Sequence, residues 1–196
     1  MEGCCSKLVS DGSAEGDRKG WKKEIDEITG LFKEEFGSLD AEQLNWKPVA
    51  ERWSIAQNLD HIMTINRSYY PEIETVENGT YKMPFIGKLN FIVNFFGKVL
   101  LKSIDPSNRK KARTFPIWEP SKSELPADIL DQFVNHQEDL KTWISDHQEL
   151  IEQNPVISSP ANTSIVYRLG TAIQIIILHE RRHLVQAQEV RDILPH

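Results

Sequence analysis

Residues 178–183 read Leu178-His179-Glu180-Arg181-Arg182-His183, two imidazoles four residues apart inside a long helix-forming stretch. A helix turns about 100° and rises about 1.5 Å per residue, so side chains at i and i+4 stack on one face. The two rings are therefore close enough to share one cation. The same letters spell His-Glu-x-x-His, the pattern of a zinc protease helix whose glutamate is the general base. Only 13 residues follow His183, with no second ligand motif before His196, so the downstream ligand of such a protease is missing.

Outward from this pair, Ile165, Leu169, Ala172, Ile176, His179, His183, Gln186 and Val190 form one row with steps of three and four. The histidines thus occupy core positions on a last helix expected from about Ser164 to Leu194. An imidazole nitrogen buried without a partner costs roughly 1 to 3 kcal/mol, and one metal ion removes that cost for both rings. By the same count Glu180 lies about 100° from His179 and about 60° from His183. It reads either as a carboxylate within reach of water at the site, able to act as a base, or as a surface group paired with Arg182 or a nearby lysine.

Two histidines are an incomplete ligand set, since a catalytic zinc normally has three protein ligands and one open position. The best third candidate is His61. It follows Ser54, whose hydroxyl and Gln57 three residues later make a capping box, and it borders the stripe Ile55, Leu59, Ile62 and Ile65. This helix is expected to close at Asn78 and Gly79 after six or so turns, with Trp53 as its staple. His136 and His147 lie near the stripe of another helix, from about Ala127 to Asn154, as lesser candidates. A first helix is set by Trp21, Ile25, Ile28, Leu31, Phe32 and Phe36, with Gly37 after it. No stretch reads as a strand.

The connection between the second and third main helices, from Pro84 to Pro126, is unusually long. Its first part, Pro84 to Ile104, is apolar on nearly every side and is expected to be buried or to pair with a second copy, giving a possible homodimer, while Lys88, Asn90, Asn94 and Lys98 make membrane insertion the weaker reading. Arg109, Lys110, Lys111 and Arg113 follow as a short basic run, read as a solvated loop. Trp46, in the loop from Leu39 to Pro48, reads as a structural cover on the core edge.

A chain of 196 residues suits one domain, here residues 21–196, behind a flexible tail over residues 1–20. A net charge of −6 argues against nucleic acid as the partner, and no apolar run is long enough to span a membrane, so neither nucleic acid nor a membrane is expected as a partner. Cys4 and Cys5 offer neither a disulfide framework nor a zinc site. With no secretory leader pattern at the start, the expected compartment is the cytoplasm.

The stretch Leu44-Asn45-Trp46-Lys47-Pro48, followed by Trp53-Ser54-Ile55-Ala56-Gln57-Asn58-Leu59-Asp60-His61, resembles the entry into the second helix of the DinB/YfiT-like superfamily. His179, Glu180, His183 and Gln186 are similar to its closing signature, a His, three residues, a second His and often a following Gln. The resemblance covers Trp21 to Leu194. It implies an all-α, up-and-down four-helix bundle in which His61, His179 and His183 bind a divalent metal, zinc or nickel being the leading choices. Gln186 would support the ligands from behind. Activities in the family include metal-dependent hydrolases and transferases that use a low-molecular-weight thiol, so the expectation is a metalloenzyme acting on a small-molecule substrate. The alternative is a metal-binding or sensing bundle that acts through assembly.

Overall fold

Each apolar row of the sequence becomes one wall of a shared core. The computed structural model describes residues 20–108, 114–120 and 123–195. The tail cysteines, His196 and the basic run at Arg109, Lys110, Lys111 and Arg113 lie outside them. In chain order the helices are α1 (Trp21–Phe36), α2 (Ala41–Asn45), α3 (Ile55–Ser68), α4 (Tyr70–Glu77), α5 (Asn90–Ile104), α6 (Ile129–Asp146), α7 (Gln148–Gln153) and α8 (Leu169–Arg191). A hairpin of β1 (Val156–Ser159) and β2 (Asn162–Arg168) precedes α8.

The four long helices α1, α3, α6 and α8 make an all-α bundle in which α1 and α3 each pack against both α6 and α8. Ile25, Ile28, Phe32 and Phe36 of α1 meet Ile129, Phe133 and Leu140 of α6, with the rings of Phe32 and Phe133 at 4.6 Å. Helix directions refine the expected up-and-down arrangement. Lys141 near the end of α6 bonds Asp26 near the start of α1, so these two run antiparallel. Arg52 before α3 reaches Glu189 near the end of α8, while Tyr69 after α3 bonds Tyr167 before α8. Helices α3 and α8 are therefore antiparallel too, and the order is up, down, down, up. The long connection between α3 and α6 allows this, because a chain that must return to the same end needs the extra length.

Local chemistry sets the helix ends. Ser54 and Gln57 form the expected capping box, with Gln57 N donating to Ser54 Oγ at 3.1 Å and Ser54 N to Gln57 Oε1 at 3.2 Å. The single helix expected from Ser54 to Asn78 is instead α3 and α4, divided at Tyr69. Pro71 lacks the N–H that would bond the Arg67 carbonyl, so the ladder is interrupted there. Gly79 has φ +66° and ends α4, with Gly79 N donating to Val76 O and Thr80 N to Thr75 O. These two bonds are the Schellman pattern. Likewise α6 and α7 replace one expected helix, with His147 at the joint and the left-handed Asn154 at the close. Asn154 Oδ1 accepts from Gly170 N at 2.9 Å and so caps the start of α8.

Two expectations are corrected. Residues 156–168 form an antiparallel hairpin, Ile157 facing Tyr167, where the sequence was read as loop and helix. Val156, Ile157, Ile165, Val166 and Tyr167 are β-branched or aromatic, and Ile165 matched the helical row only through its four-residue step to Leu169. The apolar segment Pro84 to Ile104 is only partly buried within the chain, with Leu100, Leu101 and Ile104 packed against the main core. Helix α5 covers the hairpin through Val93 and lies against Thr171 of α8 at Gly97, but leaves Phe91 71% and Phe95 61% exposed. Among the described residues, no helix is long and apolar enough to cross a membrane.

Replacing Gly79 by Ala forces a Cβ into the left-handed region and should lower unfolding stability by about 1 kcal/mol without changing the fold. Urea denaturation with the m-value unchanged is the check; a variant as stable as the wild type would remove the role assigned to this cap.

Candidate metal centre

The capping box aims α3 so that His61, two turns in, points at α8. There it meets His179 and His183, which the four-residue step has stacked on one face. One ligand atom from each of the three lies within 4.8 Å of the others. His61 and His183 are 2% and 5% exposed, and His179 is half-buried. The ring centroids stand 4.6 Å apart for His61 and His183, 5.1 Å for His61 and His179, and 4.3 Å for His179 and His183.

Hydrogen bonds select which nitrogens face inward. His61 Nδ1 lies 2.6 Å from the carbonyl oxygen of Trp118, which can only accept, so Nδ1 carries the proton. His183 Nδ1 lies 2.7 Å from Asn58 Oδ1. The Asn58 amide is oriented by its Nδ2, which donates to Ser54 O at 2.8 Å, so its oxygen accepts from His183. Both rings therefore turn an unprotonated Nε2 toward the common centre. His179 Nε2 stands 3.0 Å from His183 Nε2, and the Nδ1 of His179 is buried with no partner among the described residues. If Nε2 carries the proton, Nδ1 is a buried bare lone pair; if Nδ1 does, two lone pairs face each other. A cation among the three Nε2 atoms removes the second conflict. Two nitrogens about 2.0 Å from a tetrahedral zinc stand about 3.3 Å apart, close to the 3.0 Å between His179 Nε2 and His183 Nε2. Three imidazoles also suit nickel, copper or iron. The residues present thus fit a divalent transition metal.

Electrostatics agree. Burial lowers the pKa of His61 from 6.5 to about 4, despite the opposing bond from Trp118. His179 and His183 are held well below the usual range by burial first, then by neighbouring histidines and the charge of Arg182. All three are neutral at pH 7 and available as donors to a metal. Trp53, expected to be a simple staple, forms a wall of the site. Its ring stacks on His183 at 5.9 Å and 18° and tilts on His61 at 4.6 Å. Arg182 Nη1 donates to Ser103 O at 3.1 Å and Asn108 O at 3.0 Å, fixing the end of α5 beside the centre.

Not every candidate joins the three. Glu180 is fully buried, contrary to its reading as a surface group, and faces a second polar cluster. Its carboxylate accepts from Asn66 Nδ2 at 2.7 Å and Gln137 Nε2 at 2.9 Å. Among the described residues neither of its oxygens contacts a histidine of the site. Burial raises its pKa to about 7, against the pull of the two amides. Gln186 is half-buried and, among the described residues, makes no hydrogen bond to the histidines. His136 lies 3.2 Å from Asn66 in the second cluster, and His147 pairs with Glu77 at 3.3 Å. Asn58 and Trp118 were not singled out from sequence. Asn58 stands three residues before His61, on the same helical face, and was legible by that count; the Trp118 carbonyl, 57 residues away, carried no signal.

An all-helical bundle with three histidines converging from its second and last main helices defines the class. A family model, the DinB superfamily, matches residues 18–187, and the chain belongs to that superfamily. Neither the curated proteins nor the solved structures yielded a match.

Glu180 supplies a pH-dependent term. Its folded pKa, about 7, exceeds the ordinary 4.5, so the folded state holds more protons between those values and stability falls as pH rises through that window. Glu180→Gln removes this slope, because among the described residues Asn66 Oδ1 and Gln137 Oε1 are unpartnered and either amide can turn to accept from the new amide. Relative to the wild type, the variant should gain on the order of 3 kcal/mol between pH 4.5 and 8. Urea unfolding of both proteins, metal-free, across that range is the measurement; parallel curves would contradict the assignment.

Proposed function

We propose that the chain is a metal-dependent enzyme of the hydrolase or thiol S-transferase type, in which His61, His179 and His183 hold a divalent ion, zinc or nickel. The observation that carries this reading is the convergence of three neutral imidazoles, two of them with Nδ1 committed to hydrogen bonds. An ion on such ligands lowers the pKa of a water molecule or a low-molecular-weight thiol that joins it, and makes either a nucleophile near neutral pH.

The chain's own side chains prepare that chemistry. The Trp118 carbonyl and the Asn58 amide oxygen keep the protons of His61 and His183 on Nδ1 and leave Nε2 free to donate. Trp53 lies against two of the rings and screens them from water. Arg182 adds a fixed positive charge beside the site, favourable to an anionic thiolate or carboxylate in a small substrate. Glu180 is not proposed as the base, because both its oxygens are engaged in the second cluster.

A second reading, a metal-binding or sensing bundle without turnover, is favoured by one observation. His61 and His183 are almost fully covered, and the segment carrying Trp118 lies directly on His61. Movement of that segment would be needed to open the His61 side of the centre to a substrate.

Metal analysis of the purified protein should find one divalent ion per chain, lost in His61→Ala, His179→Ala and His183→Ala. Asn58→Ala should keep the site but bind the ion about 10 to 100 times more weakly, measured by competition with a chromogenic chelator. Unchanged occupancy in all three histidine variants would remove the site.

Turnover separates the two readings. A panel of esters, amides and electrophiles offered with small thiols should reveal activity that a chelator abolishes and added zinc or nickel restores. Full metal occupancy with no turnover anywhere in the panel would favour the sensing bundle.

A further inference from the structure

Residues 78–104 contain four lysines, Lys82, Lys88, Lys98 and Lys102, and no acidic residue, in a chain whose net charge is −6. The same stretch carries exposed apolar side chains: Phe85 at 74%, Phe91 at 71%, Phe95 at 61% and Val99 at 47%. At about 100° per residue, Phe91, Phe95, Lys98, Val99 and Lys102 fall within one arc of about 100° on α5. The opposite side packs inward, Val93 against Val156 and Val166, and Gly97 closely against Thr171. The outward face is therefore built as a set, aromatic over its first two turns and basic over its last two.

We propose that this face, from Phe85 to Lys102, docks onto an anionic lipid bilayer, with α5 lying in the plane of the interface. Aromatic rings buried at the level of the headgroups and lysines meeting their charge are the composition of an interfacial helix. The lysine stems lie alongside the phenyl rings while their ammonium groups reach the lipid phosphates. Charge selects this partner over a second copy of the chain. A two-fold contact through this face would set its lysines against the same stretch of the second copy, which has no carboxylate to answer them. The helix is also held firmly to the bundle, because Arg182 of α8 donates to the Ser103 carbonyl at its end. Docking would therefore hold the whole bundle at the surface.

The test is sedimentation of the full-length, metal-loaded protein with vesicles of phosphatidylcholine alone or with about 30% phosphatidylserine, the latter expected to capture at least ten times more protein. Each lysine at such a surface is worth about fivefold in partitioning, so Lys98→Glu with Lys102→Glu should reduce capture more than tenfold. Phe91→Ser with Phe95→Ser should reduce it on both vesicle types, and 0.5 M salt should weaken wild-type capture without any substitution. These side chains are exposed, so circular dichroism and metal content should stay unchanged. Equal capture by both vesicle types, or variants that bind like the wild type, overturns the proposal. So does absence of capture together with a concentration-dependent dimer that the phenylalanine variants abolish, which would give the face to a second copy.

Discussion

Buried imidazoles that must be satisfied away from water are the constraint on which the arrangement depends. His179 and His183 stand where a simple bundle would place leucines, in a helix whose other inward residues include Leu169, Ala172, Ile176 and Val190. Each inward ring carries a nitrogen lone pair into low dielectric, and leaving it alone is as costly as losing a core contact. The fold answers from three directions. Helix α3 brings His61 and Asn58, the connection after α5 brings the Trp118 carbonyl, and Trp53 closes the side. The same burial keeps the rings neutral, which leaves them able to donate to a metal at neutral pH.

A second polar layer lies in the same interior. Asn66, Gln137, His136 and Glu180 share hydrogen bonds among α3, α6 and α8. Glu180 follows His179 directly, yet a turn of about 100° sends it to other partners. One residue of register on α8 therefore separates the three-histidine site from a cluster that ties three helices together. The two layers fix the rotation of α8: turning it to improve one set of contacts would break the other.

The helical fold and the three histidines could be read from residue patterns because both rest on local periodicity. The row from Leu169 to Val190, the capping box at Ser54 and the stop at Gly79 are short-range features, and each is found where the spacing puts it. The misreadings come from places where long-range packing decides between local options. Ile165 fits a helical step and a strand alternation equally well, and the pairing of Ile157 with Tyr167 selects the strand. Helix α5 looks like a core helix by composition, but it has only one packed side, and its aromatic face turns outward.

Residue order alone was enough to establish four amphipathic helices, a pair of stacked imidazoles on the last of them and a third histidine two turns into the second. These follow from periodicities of three and four, which act within a few residues. The direction of each helix, the choice of Nε2 as the inward nitrogen and the fate of Glu180 waited for the tertiary structure. Each depends on a partner far away in the chain: Tyr167 for Tyr69, the Trp118 carbonyl for His61, Asn66 and Gln137 for Glu180. Spacing along a helix fixes which face a side chain takes, and only the packing of distant segments supplies what that face will meet.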